Sequence, residues 1–170
     1  MPSAVGGICA RVDGKPVGMV ASSLGTGVSF EPPMILFSAQ LGSTTWPRLR
    51  EQPRLGVTIL ARGQEAACFQ LASRSRARFE GLDITDGKGG ALFVSGGAAF
   101  FECEVAAEVP AGDHGVVLLK VLRAADDPGV SPLVHHRSAL RRLSAVTVAP
   151  ELTDGYALDD WLFPASAANY

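Results

Sequence analysis

The stretch GKPVGMVASSLGTGVSFEPPMILFSAQLGSTTW, residues 14–46, decides the fold that the sequence predicts. It contains two short apolar runs, residues 17–21 and 34–39, which are rich in β-forming residues and too short for helices. Each run leads into small polar residues, a serine pair at 22–23 and a glycine followed by hydroxyls at 42–45. We therefore expect two strands whose ends can offer backbone N–H groups and hydroxyls to an anionic ligand.

The composition is that of one folded domain. The 170 residues are 47 % hydrophobic and 19 % charged, which argues against disorder over most of the chain. A net charge of −2 predicts no nucleic-acid partner. No apolar run approaches ~20 residues, and no basic segment precedes an apolar core at the N-terminus, so neither a membrane span nor a secretory signal is expected. Three widely spaced cysteines predict buried free thiols, and hence a cytoplasmic protein.

Short apolar or alternating segments predict further strands and two short helices along the chain. Strands are expected over residues 5–12, 17–22, 34–39 (buried on both faces), 54–60, 101–109, 115–122 and 132–136. One short helix is expected to start within residues 43–50 and to end near residues 52–53, and a second is expected over residues 64–72. Residues 25–27 are expected to form a loop, and the glycine-rich residues 82–97 irregular structure. The prediction is one domain, 1–170, with a core at 5–143 and a tail at 150–170 that packs on the body or on a second subunit. This pattern is typical of a β-barrel with a few short helices.

Residue spacing argues against several kinds of catalytic site. His114, His135 and His136 lack the helical spacing of metal ligands, and there is no Cys-x-x-Cys, so no metal site is predicted. Ser22 and Ser23 do not lie in the Gly-x-Ser-x-Gly turn of a serine hydrolase. The sequence also lacks the spacing of a P-loop and of a Gly-x-Gly-x-x-Gly dinucleotide motif.

An anion site is the remaining possibility. Hydroxyls and backbone donors at Ser22, Ser23 and residues 43–45, partly at a helix start, attract phosphate, and Arg78 could add a charge-assisted bond. The simpler interpretation is that residues 43–45 only cap a helix and that the arginine-rich residues 73–81 form a solvated turn. Taken alone, the residues favour the simpler interpretation.

Several segments, taken in order, carry a resemblance to a known family. They are GKPVGMVASSL, VSFEPPMILFSAQLGSTTWPRLR, LASRSRARFEG, AAFFECEV, AGDHGVVLLKV and SPLVHH, and together they cover roughly residues 5–143. The chain resembles the short-chain flavin reductase family, the flavin reductase-like proteins. The resemblance implies a mainly β fold, an FMN-binding split barrel of Greek-key type, which forms a homodimer with the flavin at the subunit interface.

The resemblance also implies an activity and a set of site residues. The activity is hydride transfer from NADH or NADPH to FMN or FAD, as the reductase component of a two-component monooxygenase system. His114 is the implied catalytic residue, and His114 and Arg137 are the implied nicotinamide-binding residues. The implied flavin-binding residues are Val20, Ala21, Ser22, Ser23, Leu24, Ala39, Gln40, Leu41, Gly42, Ser43, Thr45, Trp46, Ser73, Arg78 and Phe79.

One segment departs from the family pattern. Residues 138–140 read Ser-Ala-Leu where the family has a glycine and a tyrosine near the nicotinamide. The alternative function is therefore a flavin-binding module that stores or presents flavin without turning over NAD(P)H. A dimeric scaffold without a cofactor is a third, less favoured hypothesis.

Overall fold

The computed structural model describes residues 1–75 and 77–143. The predicted tail at 150–170 lies outside the described residues. The described strands are β1 (Ser3–Val12), β2 (Lys15–Phe30), β3 (Pro33–Gln40), β4 (Leu55–Ile59), β5 (Ile84–Asp86), β6 (Leu92–Val94), β7 (Ala99–Ala111), β8 (His114–Asp126), β9 (Leu133–His136) and β10 (Ala139–Arg142). The helices are α1 (Trp46–Leu49) and α2 (Glu65–Ala72), with one 3-10 turn at Lys88–Gly90.

Six of the described strands close into a barrel. Their order is β1-β2-β3-β8-β7-β4, and β4 returns to pair with β1. The spatial order β4-β1-β2-β3 is that of a Greek key, in which the fourth strand lies beside the first. The hairpin of β9 and β10 extends the sheet from the start of β1, where Ser3 lies opposite His135. The predicted mainly β barrel with a few short helices is confirmed.

The barrel interior is filled by alternate residues of its strands. Phe37 of β3, Val57 of β4, and Val117 and Leu119 of β8 are fully buried. At one end α1 closes the interior, where the Trp46 ring meets the Phe37 ring edge-on at 5.1 Å between centroids. The expectation that β3 is buried on both faces is wrong, because only every second residue of it is buried. The residues that alternate with the buried ones, Met34, Leu36 and Ser38, are half-buried.

A second apolar layer lies on the outer side of β1 and β4. Its buried members are Val5, Cys9, Leu60, Cys68, Leu71, Leu92, Val94 and Leu133. The prediction that residues 82–97 are irregular is wrong in part, because β5 and β6 form a hairpin that contributes to this layer. The hairpin approaches the barrel closely at Gly56, where a Cβ would lie 2.2 Å from the carbonyl oxygen of Leu92.

Two further boundaries differ from the prediction. Residues 25–27 belong to β2, which runs on to Phe30 with an irregularity between Gly25 and Ser29. Helix α1 has only four residues and ends at Leu49, before the end predicted near residues 52–53. Its start is fixed by the Ser43 hydroxyl, which accepts hydrogen bonds from the amides of Thr45 (3.3 Å) and Trp46 (3.1 Å).

Candidate functional site

The candidate site is an opening between β2 and β3. The ladder between these strands runs from Phe30 opposite Pro33 to Gly25 opposite Leu36. Beyond that pair, β2 stays paired with β1 and β3 with β8, and the described residues form no further rung between β2 and β3. One side-chain bond spans the start of the gap, the amide of Ser38 donating to the Ser23 hydroxyl at 2.9 Å. We call this opening the seam.

The seam holds a cleft of about 430 Å³. Most of its wall is main chain and small polar side chains, because the two strands diverge here and expose their edges. The lining residues are Met19, Val20, Ala21, Ser22, Ser23, Ser38, Gln40, Gly42, Ser43, Thr44, Thr45, Leu71, Ala72, Arg74, Arg78 and His114. Ten residues predicted from the sequence thus come together here, namely Val20, Ala21, Ser22, Ser23, Gln40, Gly42, Ser43, Thr45, Arg78 and His114.

Arg78 fixes the positive end of the seam. Its Nη1 donates to the carbonyl oxygen of Gly18 at 3.0 Å and to the Thr45 hydroxyl at 2.9 Å. The side chain is therefore anchored on β2 and on the loop after β3, with its remaining N–H groups left for a ligand. For Arg78 the solvated-turn interpretation is wrong, since the residue is half-buried and held by two bonds.

The hydroxyls after β3 divide between two roles. The Ser43 oxygen caps the start of α1, as the simpler interpretation predicted. The Thr45 oxygen accepts from Arg78 instead, so its proton remains available to an anion. A four-residue helix contributes little dipole, and the attraction for an anion here rests on Arg78 and on backbone N–H groups.

His114 stands on the opposite side of the seam, at the first position of β8. It lies opposite Gln40 of β3. Its Nδ1 is 2.7 Å from Oδ1 of Asp113, which leaves Nε2 for a ligand in the cleft. The hydrogen bond from His114, with its charge, holds the pKa of the Asp113 carboxyl below its ordinary value of 3.8. Asp113 thereby orients the ring.

Other predicted residues do not line the seam. The side chains of Leu24, Ala39 and Trp46 are buried in the barrel core, so they can reach a ligand only through their backbone. The Trp46 indole N–H is used by Glu108, to which it donates at 3.2 Å. Leu41 is 64 % exposed at the rim.

The remaining predicted residues lie farther along the chain. The Ser73 hydroxyl donates to the carbonyl of Gln70 at 2.7 Å. Phe79 packs against the outer apolar layer and lines a neighbouring cleft. Arg137 lies in the turn between β9 and β10 with a φ of 50°, and it lines none of the clefts of the described chain. A role for Ser73, Phe79 and Arg137 in binding stays a prediction.

The neighbouring cleft has a volume of about 570 Å³ and shares four wall residues with the seam. The shared residues are Thr44, Thr45, Arg74 and Arg78. Its own cations are Lys15, at the start of β2, and Arg48, on α1. Sequence reasoning missed both, because nothing in their local context distinguishes them from ordinary surface cations.

A larger cleft, of about 960 Å³, lies elsewhere. It runs beside the β5–β6 hairpin, where Phe93 and Phe100 meet edge-on at 6.0 Å between centroids. It contains none of the predicted site residues, and its charged groups have both signs. The seam is therefore the better candidate, in spite of its smaller volume.

Two structural searches bear on other kinds of site. Among residues 1–75 and 77–143, no three His, Cys, Asp or Glu side chains are grouped so that they could hold a metal ion. Within the same residues, no helix has the length and apolar character needed to cross a membrane.

Comparison with known proteins identifies relatives over most of the chain. A family model described as flavin reductase like domain matches residues 1–144. A flavin reductase of Pseudomonas putida is 29 % identical over 144 residues, which are 82 % of this chain and 84 % of that protein. HsaB, the reductase subunit of a flavin-dependent monooxygenase of Rhodococcus jostii (strain RHA1), is 30 % identical over 125 residues, 74 % of this chain and 64 % of that protein.

Solved structures include a similar fold. The NADH:FAD oxidoreductase SgcE6 of Streptomyces globisporus C-1027, in complex with NAD and FAD fragments, superposes with a TM-score of 0.81. It is 28 % identical, and the match covers 87 % of this chain and 89 % of that chain.

Proposed function

This chain belongs to the flavin reductase-like family, and from that premise we propose that it is an NAD(P)H-dependent flavin reductase, which transfers hydride from a nicotinamide to FMN or FAD. The observation that carries the proposal is the seam between β2 and β3, with exposed strand edges along its length and Arg78 at one end. The related structure named an NADH:FAD oxidoreductase supports NADH as the reductant.

The residues of the seam fit a flavin. The cleft volume of about 430 Å³ lies within the range of about 300–1,000 Å³ found for small-molecule sites. Backbone groups of residues 20–23 can bond the polar edge of the ring, and the hydroxyls of Ser22 and Ser23 lie beside them. We propose that Arg78 and Thr45 hold the phosphate, and their contact supports this because Arg78 supplies a charge and Thr45 a hydroxyl proton.

Hydride transfer from a nicotinamide to a flavin needs no ionisable side chain as a nucleophile. A bound flavin supplies the hydride acceptor. The chain must hold the two rings about 3–3.5 Å apart, and backbone donors along β2 can stabilise the charge that develops on the reduced ring. We propose that His114 orients the nicotinamide through Nε2, and its position on the wall of the seam supports this role. The absence of a nucleophile from this arrangement agrees with hydride transfer between two bound molecules.

The alternative, a module that only stores flavin, is less well supported. It was suggested by the changed residues 138–140. The first of them, Ser138, forms a tight turn with Arg137, and their φ values are 59° and 50°. The turn lies on the β9–β10 hairpin and outside the seam lining. The relatives named above are reductases, so we retain turnover as the proposed function.

We further propose that the chain acts as a cytoplasmic homodimer that supplies reduced flavin to a monooxygenase. The relative HsaB supports such a partner, since it is the reductase subunit of a flavin-dependent monooxygenase. Leu41 (64 % exposed) and Val109 (52 % exposed) support a second subunit beside the seam, because both lie within a few residues of the His114 position. The buried free cysteines support a reducing compartment.

Anaerobic turnover tests the proposed function. The purified protein is mixed with FMN or FAD, and the consumption of NADH and of NADPH is followed at 340 nm, a wavelength at which both reductants absorb and their oxidised forms do not. We expect the flavin to be reduced by at least one of the two nicotinamides. Tight flavin binding without consumption of either would support the storage module, and the absence of any flavin binding would exclude both functions.

A further inference from the structure

The cleft next to the seam has features of a second ligand-binding site. We propose that it binds the adenosine-phosphate half of a flavin dinucleotide, so that this chain prefers FAD to FMN. This inference rests on the proposed function, because it takes the flavin ring to lie in the seam. We call the second cleft the basic cleft; its charged lining residues are Lys15, Arg48, Arg74, Arg78 and Glu80.

The first argument is continuity. Thr44, Thr45, Arg74 and Arg78 line both clefts, so a phosphate held at Arg78 touches the wall that the two clefts share. FMN would end at this wall. A flavin with a second phosphate and a nucleoside would continue past it into a further space of about 570 Å³, which is larger than the seam itself.

The second argument is charge. The basic cleft contains four cationic side chains and one carboxylate, whereas the whole chain has a net charge of −2. Within residues 1–75 and 77–143, Lys15, Arg48, Arg74 and Arg78 take part in none of the ion pairs. Other arginines of the chain, such as Arg11 and Arg54, are paired with carboxylates. Unpaired cations that converge on one cleft are suited to a second phosphate.

The third argument is the apolar part of the same wall. Pro16, Val17 and Phe79 line the cleft together with the cations. Phe79 is half-buried and wedged against Gly18, where a Cβ would come within 2.7 Å of its ring. A fixed aromatic ring beside cations is suited to a nucleobase joined to a phosphate, since every base has a flat face that can stack.

An adenosine phosphate could also be the second half of the nicotinamide reductant. The two sources differ in what a change in the basic cleft would affect. If the cleft serves FAD, losing its cations weakens FAD binding in the absence of any nicotinamide. If it serves the reductant, the same change raises the KM for NADH and leaves the ratio of FAD to FMN affinity unchanged. The position of Arg78 between the two clefts favours FAD, because it allows one molecule to occupy both.

The test compares flavin affinities by isothermal titration calorimetry with oxidised FAD, FMN and ADP. The variant is Lys15→Ser with Arg48→Ser, both exposed residues that occur in the basic cleft and not in the seam. The matched control is Lys88→Ser with Arg123→Ser, two exposed cations of the Phe93–Phe100 cleft. Both variants change the net charge by the same amount, and circular dichroism checks that each is folded.

For the wild type we expect FAD to bind about tenfold more tightly than FMN, and ADP to compete with FAD. In the Lys15/Arg48 variant FAD should weaken by about tenfold and FMN by less than about twofold. The control should retain the wild-type preference. If the double variant does not fold, Lys15→Ser alone, at the exposed first position of β2, gives the same comparison with a smaller effect.

Three results would overturn the inference. Equal affinity of the wild type for FAD and FMN would remove the preference. An unchanged affinity ratio in the variant, with a raised KM for NADH, would assign the cleft to the reductant. If the control variant loses its preference for FAD over FMN as fully as the Lys15/Arg48 variant does, the effect would come from net charge and not from the basic cleft. Failure of the proposed function is distinguishable from all three, because then neither flavin binds to the wild type.

Discussion

Replacing Gly18 by alanine tests how the barrel holds Arg78, the arginine that we propose binds the flavin phosphate. Gly18 lies on β2, opposite Cys9 of β1, and its carbonyl oxygen accepts the hydrogen bond of Arg78. A Cβ at this position would lie 2.6 Å from the Cys9 sulfur and 2.7 Å from Cζ of Phe79. Both distances are shorter than normal contacts, so the Phe79 ring must move. Because Phe79 follows Arg78 directly and Arg78 is bonded to the Gly18 carbonyl, we expect the shift to weaken the anchoring of the guanidinium.

The size of the effect follows from these contacts. Overpacking of a buried site costs about 1–3 kcal/mol, and for a chain of this length each kcal/mol lowers the melting temperature by roughly 2–4 °C. Gly18→Ala should therefore melt roughly 2–12 °C below the wild type. A hydrogen bond from a charged group contributes about 1.5–3 kcal/mol. Loss of most of one such bond should weaken flavin binding by about tenfold.

The assays are thermal unfolding, urea unfolding and flavin titration of the same protein samples. The matched control is Gly7→Ala, a change of the same kind on the neighbouring strand, β1. There a Cβ would find ordinary contacts, 3.5 Å from Cδ1 of Leu71 and 3.8 Å from Cδ2 of Leu60. We expect the control to unfold within about 1 kcal/mol of the wild type and to bind flavin normally. The reasoning is refuted if Gly18→Ala matches the wild type in both assays, or if Gly7→Ala is damaged as severely.

Four further predictions concern single groups. Thr45→Ala should weaken flavin binding by roughly 2–10-fold through the loss of one hydrogen bond; unchanged affinity in a fluorescence titration would exclude a contact with the phosphate. His114→Ala should slow anaerobic hydride transfer by about tenfold and leave the flavin Kd nearly unchanged; a loss confined to stability would make His114 structural. The same variant should raise the pKa of Asp113 toward its ordinary value of 3.8, because His114 lowers it. Any stability from this pair is present above that value and is lost as the pH falls through the lower folded pKa; an NMR titration in which the Asp113 pKa does not move would contradict the bond. Finally, burial raises the pKa of the Cys9 and Cys103 thiols to about 12, so both should resist iodoacetamide at pH 8 until urea unfolds the chain, and rapid labelling of the folded protein would contradict their burial.

The sequence predicted well those parts of the fold that rest on local pattern. The alternation of apolar and polar residues indicated β7, since side chains on successive strand residues point to opposite faces. The short apolar run indicated β3. It was wrong about the second face of β3, because a run of apolar residues does not show whether another layer covers the strand. It also missed the β5–β6 hairpin, whose strands have three residues each, too few for a period to be recognised.

The candidate site was predictable only in part, for a similar reason. Residues 20–23 and 42–45 could be found because each group follows an apolar run, and Arg78 because the order of segments resembled a family. The pairing of Arg78 with Thr45 and Gly18 depends on tertiary contacts. Lys15 and Arg48 share a cleft only because the start of β2 and α1 lie side by side in the folded chain. No local pattern carries that information.

Hydrogen exchange with and without bound flavin tests the central claim most directly. The seam exposes one edge of residues 19–23 and 38–40, and those of their amides that face the seam should exchange faster than amides in the closed ladders of the barrel. We predict that saturating FAD or FMN slows exchange in peptides covering residues 19–24 and 38–46, and leaves the β5–β6 hairpin unchanged. Slower exchange around Phe93 and Phe100, with no change in the seam, would mean that flavin binds in the Phe93–Phe100 cleft, and it would contradict the proposal that flavin binds in the seam.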